Sequence, residues 1–281
     1  MGALQGATEM QAEDKYITTD GLRIHYLDWA EPDGEDKQPL LMLHGIGRTA
    51  HNYDHLVPHF APHYRVIAAD LRGHGDSDWH PDGAYLVEDY VKDIEALIAE
   101  LGLTNMVLMG QSTGGRVVQV IAGKQPGRVA AAIVEDVGPE RPKAIADKRA
   151  RRMSDEEDGW ATQDEVLTSI RPKYPLTPDS LLRHFVQTGT KQRSDGRWIW
   201  KVDRNITKGF IPTDIWRFVR EIEAPIIYIL GGASNIVPPE TQEELKVALP
   251  QVEIVTMPGL GHYPCDEKPE DFLAIVDEFL G

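Results

Sequence analysis

The sequence has little cysteine and no long hydrophobic run. Cys265, the single cysteine among 281 residues, cannot form an internal disulfide, and no Cys-x-x-Cys pair indicates zinc or redox chemistry. The longest apolar runs, such as 39–43 and 225–230, are far too short to cross a bilayer. Residues 1–15 lack the basic start, apolar stretch and cleavage site of a secretory signal. We therefore expect a cytoplasmic protein that does not span a membrane.

Positive charge is also scarce. The chain has 29 Lys and Arg against 45 Asp and Glu, which gives a formal net charge of −16. Such an acidic surface repels polyanions, so we expect no nucleic-acid partner and no binding to anionic membranes. Hydrophobic residues make up 41% and charged residues 26%, which is ordinary for a folded globular chain of this length.

Short apolar runs bounded by turn residues predict buried parallel strands. These runs are 40–43, 66–69, 106–109, 130–134, 226–230 and 252–256. Helical patterns lie between several of them, clearest over 86–101, and a closing helix is predicted over 269–280. A hairpin is predicted over 16–29 around the turn pair Asp20-Gly21. The alternation predicts an α/β fold with a mostly parallel, twisted sheet flanked by helices.

One segment breaks this alternation. Residues 139–223 are polar and rich in Arg and Trp, and they show helical pieces without an obvious strand. We interpret them as a helical cap inserted into the α/β core. The core then comprises residues 16–138 and 224–281, and residues 1–15 form a flexible N-terminal tail.

The strongest chemical signal is the stretch Gly110-Gln111-Ser112-Thr113-Gly114-Gly115. It follows one apolar run and precedes a helical pattern, which predicts a strand, a tight turn and a helix. Glycines two residues before and after Ser112 permit the strained backbone of such a turn. The hydroxyl would then lie above the sheet at a helix N-terminus, where backbone N–H groups favour developing negative charge. An ordinary Gly/Ser-rich turn is the alternative.

A nucleophilic serine needs a base and an oxyanion hole. Of the ten histidines, only His262 follows the last predicted strand, where a loop can carry it over the serine. The stretch His44-Gly45-Ile46-Gly47 follows an earlier strand. Its flexible backbone predicts the Ile46 N–H as one oxyanion donor, with the Thr113 N–H as the second. A simple strand-ending turn is the alternative for this stretch.

These motifs resemble, in order and separation, those of the α/β-hydrolase superfamily with a lid. The resemblance rests on His44-Gly-Ile-Gly47, Asp70-Leu-Arg-Gly-His-Gly-Asp-Ser77, Gly110-Gln-Ser-Thr-Gly-Gly115 and Gly261-His262, and it extends from about Leu22 onward. Members with a serine at this position are mostly esterases, lactonases, amidases and C–C bond hydrolases. Dehalogenases and epoxide hydrolases carry aspartate there, so Ser112 argues against them.

The sequence departs from the family at the catalytic acid. The family usually places an aspartate in the loop after the penultimate strand, but Asn235 occupies this position. A neutral amide cannot offset the charge of an imidazolium. Some relatives carry the acid one strand earlier, where this chain has Glu135-Asp136-Val-Gly-Pro139. We prefer Asp136 to Glu135, because the segment from Asp136 resembles the Asp-Ile-Gly-Pro of many relatives.

The cap resembles those of serine hydrolases that act on small acidic amides such as acetamidomethylene succinate. The resemblance lies mainly at 171–179 and at Arg152. It implies a substrate whose carboxylate is held by a cap arginine, for which Arg152 is the candidate. Tyr174 and Tyr263 are the other candidate substrate-binding residues.

The sequence therefore predicts a serine hydrolase that cleaves an ester, lactone or amide bond of a small molecule through an acyl-enzyme. We expect no organic cofactor and no metal, because no His/Cys/Asp cluster has ligand spacing and no phosphate-binding glycine fingerprint opens the first helix. Two alternatives stay open. One is C–C bond hydrolysis of a ring-cleavage product, and the other is a ligand receptor with slow turnover. The chain could be a monomer or a homodimer.

Overall fold

The computed structural model describes residues 11–29, 37–141, 159–209 and 211–281. The strands are β1 (Glu13–Thr19), β2 (Leu22–Asp28), β3 (Gln38–Leu43), β4 (Tyr64–Ala69), β5 (Met106–Gln111), β6 (Val129–Glu135), β7 (Glu140–Arg141), β8 (Thr190–Gln192), β9 (Trp198–Trp200), β10 (Thr213–Asp214), β11 (Ile226–Gly231) and β12 (Val252–Met257). The α-helices are α1 (Val57–Phe60), α2 (Val87–Glu100), α3 (Thr113–Lys124), α4 (Gln163–Ile170), α5 (Asp179–Gly189), α6 (Trp216–Val219), α7 (Pro239–Ala248), α8 (Pro264–Glu267) and α9 (Pro269–Leu280). Short 3₁₀ turns cover Ala50–Tyr53, Pro126–Arg128, Arg171–Lys173 and Arg204–Gly209.

An eight-stranded sheet forms the centre of the fold, in the order β1-β2-β4-β3-β5-β6-β11-β12. Strands β1 and β2 form an antiparallel hairpin, and β2 also pairs antiparallel with β4. The remaining pairs are parallel. The hairpin turns at Asp20 and Gly21, which both have positive φ angles, of 51° and 77°. The predicted α/β class and mostly parallel sheet are confirmed.

Alternate residues of each central strand pack against different helices, because successive side chains point to opposite faces of a sheet. Leu41 and Leu43 of β3 belong to the cluster that includes Ile94 of α2 and Val117 of α3. Leu40 and Met42 pack instead in a second cluster, which α9 closes with Phe272 and Val276. Helices therefore cover both faces, which explains why these strands are apolar throughout. No helix in the described part of the chain is long and apolar enough to span a bilayer.

The predicted limits of the tail and the content of the cap need correction. Strand β1 begins at Glu13, so 13–15 belong to the hairpin and not to a tail. This end of the strand is polar because it lies at the sheet edge, where Lys15 Nζ is 3.1 Å from Asp28 Oδ2. The segment between β6 and β11 contains helices α4 and α5, as predicted, but also the strand pairs β8–β9 and β7–β10. Strands of two or three residues are too short to show a period in sequence.

Candidate active site

Ser112 lies at the turn between β5 and α3, as the sequence predicts. Its backbone has φ 52° and ψ −115°, a conformation that L-residues seldom adopt. Close packing requires the glycines on either side. A Cβ at Gly110 would lie 2.5 Å from the Gly114 carbonyl carbon, and one at Gly114 would lie 2.0 Å from the Leu43 oxygen. The serine is thus held at the N-terminus of α3, where unpaired N–H groups favour negative charge.

Asp136 directly follows β6, and its carboxylate faces His262. The Oδ2 atom is 2.6 Å from His262 Nδ1 and accepts a hydrogen bond of 2.5 Å from the Ser234 hydroxyl. The Oδ1 atom accepts a hydrogen bond of 3.1 Å from the Gly231 N–H. These donors fix the buried carboxylate, which in turn orients the imidazole. With Nδ1 as the donor, Nε2 is the nitrogen that can accept a proton.

Neither Glu135 nor Asn235 forms a hydrogen bond with His262 in the described structure. Glu135 points to the opposite side, where its Oε1 accepts a hydrogen bond of 2.8 Å from the Cys265 N–H. Asn235 is exposed to solvent. The loop that carries Asn235 still contributes, because its Ser234 donates to the Asp136 carboxylate.

Gln111 lies next to the histidine and was not predicted from the sequence. Its side-chain nitrogen is 3.3 Å from His262 Nε2 and donates to the His262 carbonyl oxygen at 3.1 Å. Among the described residues, no hydrogen bond joins the Ser112 hydroxyl to His262. The structure brings Asp136 and His262 into contact, and the Gln111 side chain lies within 3.3 Å of the free ring nitrogen, His262 Nε2. The only sequence signal for Gln111 is its position before the serine, at the end of β5.

The two predicted oxyanion donors are both buried beside this serine. Ile46 lies in the loop after β3, and Thr113 is the first residue of α3. The loop runs close to the turn that carries Ser112, because a Cβ at Gly45 would lie 3.0 Å from Ser112 Cβ. A Cβ at this position would also lie 2.0 Å from Gln111 Oε1, so a larger residue would displace the Gln111 side chain.

His44 holds the loop after β3 in place. Its Nδ1–H donates to the Gly45 carbonyl at 2.8 Å, and its Nε2 accepts a hydrogen bond of 3.0 Å from the Leu71 N–H. Burial lowers the pKa of His44, which keeps the ring in the neutral form that these contacts need. The role of His44 is therefore structural.

Arg48 forms a buried cation between helix α5 and the loop after β12. Its Nη1 is 2.8 Å from Asp266 Oδ2. The guanidinium carbon lies 4.1 Å from the ring centre of Tyr263, 4.6 Å from that of Phe185 and 5.1 Å from that of Tyr174. Its Nε and Nη2 atoms are buried and have no hydrogen-bond partner among the described residues. Tyr174 and Tyr263, two of the predicted substrate-binding residues, thus both pack against this guanidinium. The third, Arg152, lies outside the described residues.

Glu135 has a strongly perturbed pKa. Burial, with Asp266 and Asp136 nearby, raises it to about 8, although the hydrogen bond from the Cys265 N–H acts in the opposite direction. Cys265 itself is buried, and burial raises its thiol pKa well above the usual value. Because the thiolate is the reactive form, this cysteine is a packed thiol and not a nucleophile.

The Glu135 pKa leads to a prediction for stability. Below about pH 4.5 the carboxyl is protonated in both the folded and the unfolded state, whereas between about 4.5 and 8 only the folded state retains the proton. The free energy of unfolding should therefore fall as the pH rises through this range, by on the order of a few kcal/mol. Gln at position 135 cannot ionise. The free energy of unfolding of Glu135→Gln, measured with urea between pH 5 and 9, should therefore depend less on pH than that of the wild type. Glu253→Gln, at an exposed position, is the matched control. The same dependence of the unfolding free energy on pH in all three proteins would refute the raised pKa of Glu135.

Within the described residues, two groups of side chains have metal-ligand character. In one, His51 and His184 both contact Asp54; in the other, His25 lies beside Asp70 and Asp76. In the second group the Asp70 oxygens are already engaged by the Ala50 N–H at 2.7 Å, the Asp76 N–H at 2.9 Å and His25 at 2.7 Å. That group is a structural turn. The first was missed from the sequence, because His184 is 130 residues away from Asp54.

A parallel sheet covered on both faces, with a strained serine and an Asp–His pair at the carboxyl ends of its strands, defines a class of α/β enzymes. Residues 38–184 match the sequence profile of the alpha/beta hydrolase fold family. The chain belongs to this family.

Several relatives are similar over most of their length. The non-heme chloroperoxidase of Streptomyces lividans is 40% identical over 285 residues, which cover 92% of this chain and 98% of that protein. The 3-hydroxybutyrate-oligomer hydrolase of Cupriavidus necator is 27% identical over 276 residues and 92% of each chain. The crystal structure of E-2-(acetamidomethylene)succinate hydrolase superposes with a TM-score of 0.87 at 22% identity, over 96% of this chain and 99% of that one. This last likeness concerns the fold. The family and its relatives support a hydrolase.

Proposed function

We propose that the protein is a serine hydrolase that cleaves an ester, lactone or amide bond of a small organic molecule. The observation that carries the proposal is the contact of 2.6 Å between Asp136 and His262 at the edge of the sheet where Ser112 is held at φ 52°. An acid, a base and a strained serine at neighbouring strand ends are the parts that acyl transfer requires.

In the proposed mechanism, Ser112 Oγ attacks the substrate carbonyl carbon, and its proton passes to His262 Nε2. Asp136 stabilises the imidazolium that forms. The N–H groups of Ile46 and Thr113 stabilise the negative oxygen of the tetrahedral intermediate. His262 then donates the proton to the leaving alcohol or amine, which leaves an ester on Ser112. Since Gln111 faces Nε2 at 3.3 Å, the serine hydroxyl must replace it there before the first proton transfer.

The second half of the reaction uses water. His262 Nε2 removes a proton from a water molecule that attacks the acyl-enzyme, and the same proton returns to Ser112 Oγ as the carboxylic acid departs. Purified protein should therefore release nitrophenol from p-nitrophenyl acetate with a burst. A panel of short esters, lactones, N-acyl compounds and dienoic acids then identifies the bond. Turnover of the dienoic acids alone would favour C–C hydrolysis, and no turnover of any compound would favour a receptor.

We further propose that the substrate carries a carboxylate near the bond that is cleaved. Support comes from Arg48, whose two unpartnered buried nitrogens lie close to Tyr174 and Tyr263. An unpaired N–H donor in a buried position gains from a charged acceptor.

The expected result is a preference of at least about tenfold in kcat/KM for an acidic ester over its neutral isostere, because a charge-assisted hydrogen bond contributes about 1.5 to 3 kcal/mol. The resemblance of the cap makes Arg152 the candidate for holding the carboxylate, so Arg152→Ala should reduce this preference. Arg193→Ala, in a surface turn of the cap, should not. Equal rates on the two esters and no effect of Arg152→Ala would count against a carboxylate-bearing substrate.

A second candidate activity is suggested by the relative that is 40% identical, the non-heme chloroperoxidase. Hydrogen peroxide in place of water would attack the acyl-enzyme, release a peracid and return the proton to Ser112. The peracid would then transfer an oxygen atom to a halide ion, which forms hypohalous acid and leaves the carboxylate. Halogenation of monochlorodimedone in acetate buffer with peroxide tests this activity. It should disappear in Ser112→Ala if the acyl-enzyme is its source.

A further inference from the structure

A cluster of His51, Asp54 and His184 joins the cap to the core. His51 Nδ1 lies 2.9 Å from Asp54 Oδ2, and His184 Nε2 lies 2.8 Å from the same oxygen. The two imidazole rings meet edge to face, with centres 6.3 Å apart. One ligand atom from each residue lies within 4.8 Å of the other two. The donor atoms therefore converge on one point at the junction.

The second oxygen of the same carboxylate is unsatisfied. Asp54 Oδ1 is buried and has no hydrogen-bond partner among the described residues. Both imidazoles contact Oδ2, so nothing compensates for the water that Oδ1 loses on burial. A cation, in contrast, can interact with both oxygens of a carboxylate. The unsatisfied oxygen is independent of the His contacts, and it favours a bound cation over hydrogen bonds alone.

We propose that His51, Asp54 and His184 bind a divalent transition-metal ion of the zinc type. Two imidazole nitrogens and a carboxylate are ligands of such ions, whereas Mg²⁺ and Ca²⁺ select oxygen donors. Bond lengths of about 2.0 to 2.2 Å place neighbouring ligand atoms of a tetrahedral ion roughly 3.3 Å apart. The present nitrogen–oxygen contacts must widen by about half an ångström, which small side-chain rotations achieve. Water completes the coordination.

The ligands come from both sides of the junction between cap and core. His51 and Asp54 follow the loop that contains Ile46, and His184 lies on α5 of the cap. Its neighbour Phe185 packs against the Arg48 guanidinium at 4.6 Å. A bound ion would hold α5 against the core without touching the reacting atoms. The inference does not depend on the proposed hydrolase activity.

The test uses the full chain, stripped with a chelator and dialysed. Calorimetric titration with Zn²⁺ should show one tight equivalent in the wild type, and Co²⁺ should give a visible absorption band from the metal–imidazole site. His184→Ala and His51→Ala should each weaken this equivalent by at least about tenfold and reduce the band, because each removes one ligand. His59→Ala is the matched control, since His59 forms an exposed pair with Asp277 at 2.8 Å and has no third ligand.

A thermal readout distinguishes metal binding from a purely structural role of the histidines. Zn²⁺ should raise the melting temperature of the wild type and of His59→Ala, but not of His184→Ala. His184→Gln retains a donor for Asp54 and serves if the alanine variant unfolds. No stoichiometric Zn²⁺ binding by the wild type would overturn the proposal, and so would unchanged affinity in both His184 variants.

Discussion

Ser112→Ala should abolish hydrolysis while the fold and the melting temperature stay nearly unchanged. The hydroxyl is the proposed nucleophile, and its loss should reduce kcat/KM by on the order of 10³-fold or more. The side chain is only partly buried, so its removal opens no cavity in the core. Alanine and serine meet the same strain at φ 52°, so the backbone preference does not change.

The measurement compares hydrolysis of p-nitrophenyl acetate and circular dichroism for the wild type and two variants. Ser169→Ala is the control, because its hydroxyl donates to the Val166 carbonyl within the cap helix α4. That variant should retain full activity. Substantial hydrolysis by correctly folded Ser112→Ala would refute the nucleophile assignment.

Asp136→Asn should lower turnover by about 10⁴-fold, the effect of the same change in a comparable triad. The amide cannot stabilise an imidazolium, and its NH₂ group can force His262 into the wrong tautomer. The fold should survive, because Asp136 has φ 46° and asparagine tolerates this conformation well. The Gly231 N–H can still donate to the remaining oxygen.

Two matched variants test the choice of the acid. Glu135→Gln should cost much less in turnover, since Glu135 faces Cys265 and not His262. Asn235→Ala should have a mild effect, because Asn235 is exposed. If Asn235→Ala is as damaging as Ser112→Ala while Asp136→Asn remains active, the assignment of Asp136 is wrong.

The sheet could be predicted because its central strands are buried on both faces. The apolar run 106–109 lies within β5 (Met106–Gln111), and the run 226–230 lies within β11 (Ile226–Gly231). A strand that is buried on both faces has apolar residues at nearly every position, so a single sequence shows it as a continuous apolar run. Edge segments lack this signal, which is why the sequence alone predicts a tail where Glu13–Lys15 form a strand.

Side-chain contacts of the candidate site were only partly predictable. The order of motifs and the turn glycines indicate where Ser112 and His262 lie in the fold. They do not show that Ser234 donates to Asp136 or that Gln111 faces His262. Such contacts depend on how loops from different strands pack. His184 and Asp54 likewise meet across 130 residues, a distance over which local spacing carries no information.

Under the proposed mechanism, the positive φ angles of Ser112 and Asp136 imply a conflict between stability and activity. Strands β5 and β6 end in register at Gln111 and Glu135, and each is followed by a residue in a left-handed conformation. Such residues cost on the order of 1 to 3 kcal/mol each. Glycine would relieve the strain at either position, but it would remove the hydroxyl of the proposed nucleophile or the carboxylate of the proposed acid. Selection for thermostability alone should therefore favour glycine at 112 and 136, which would inactivate the proposed enzyme. Stabilising substitutions that preserve activity have to be sought at other positions.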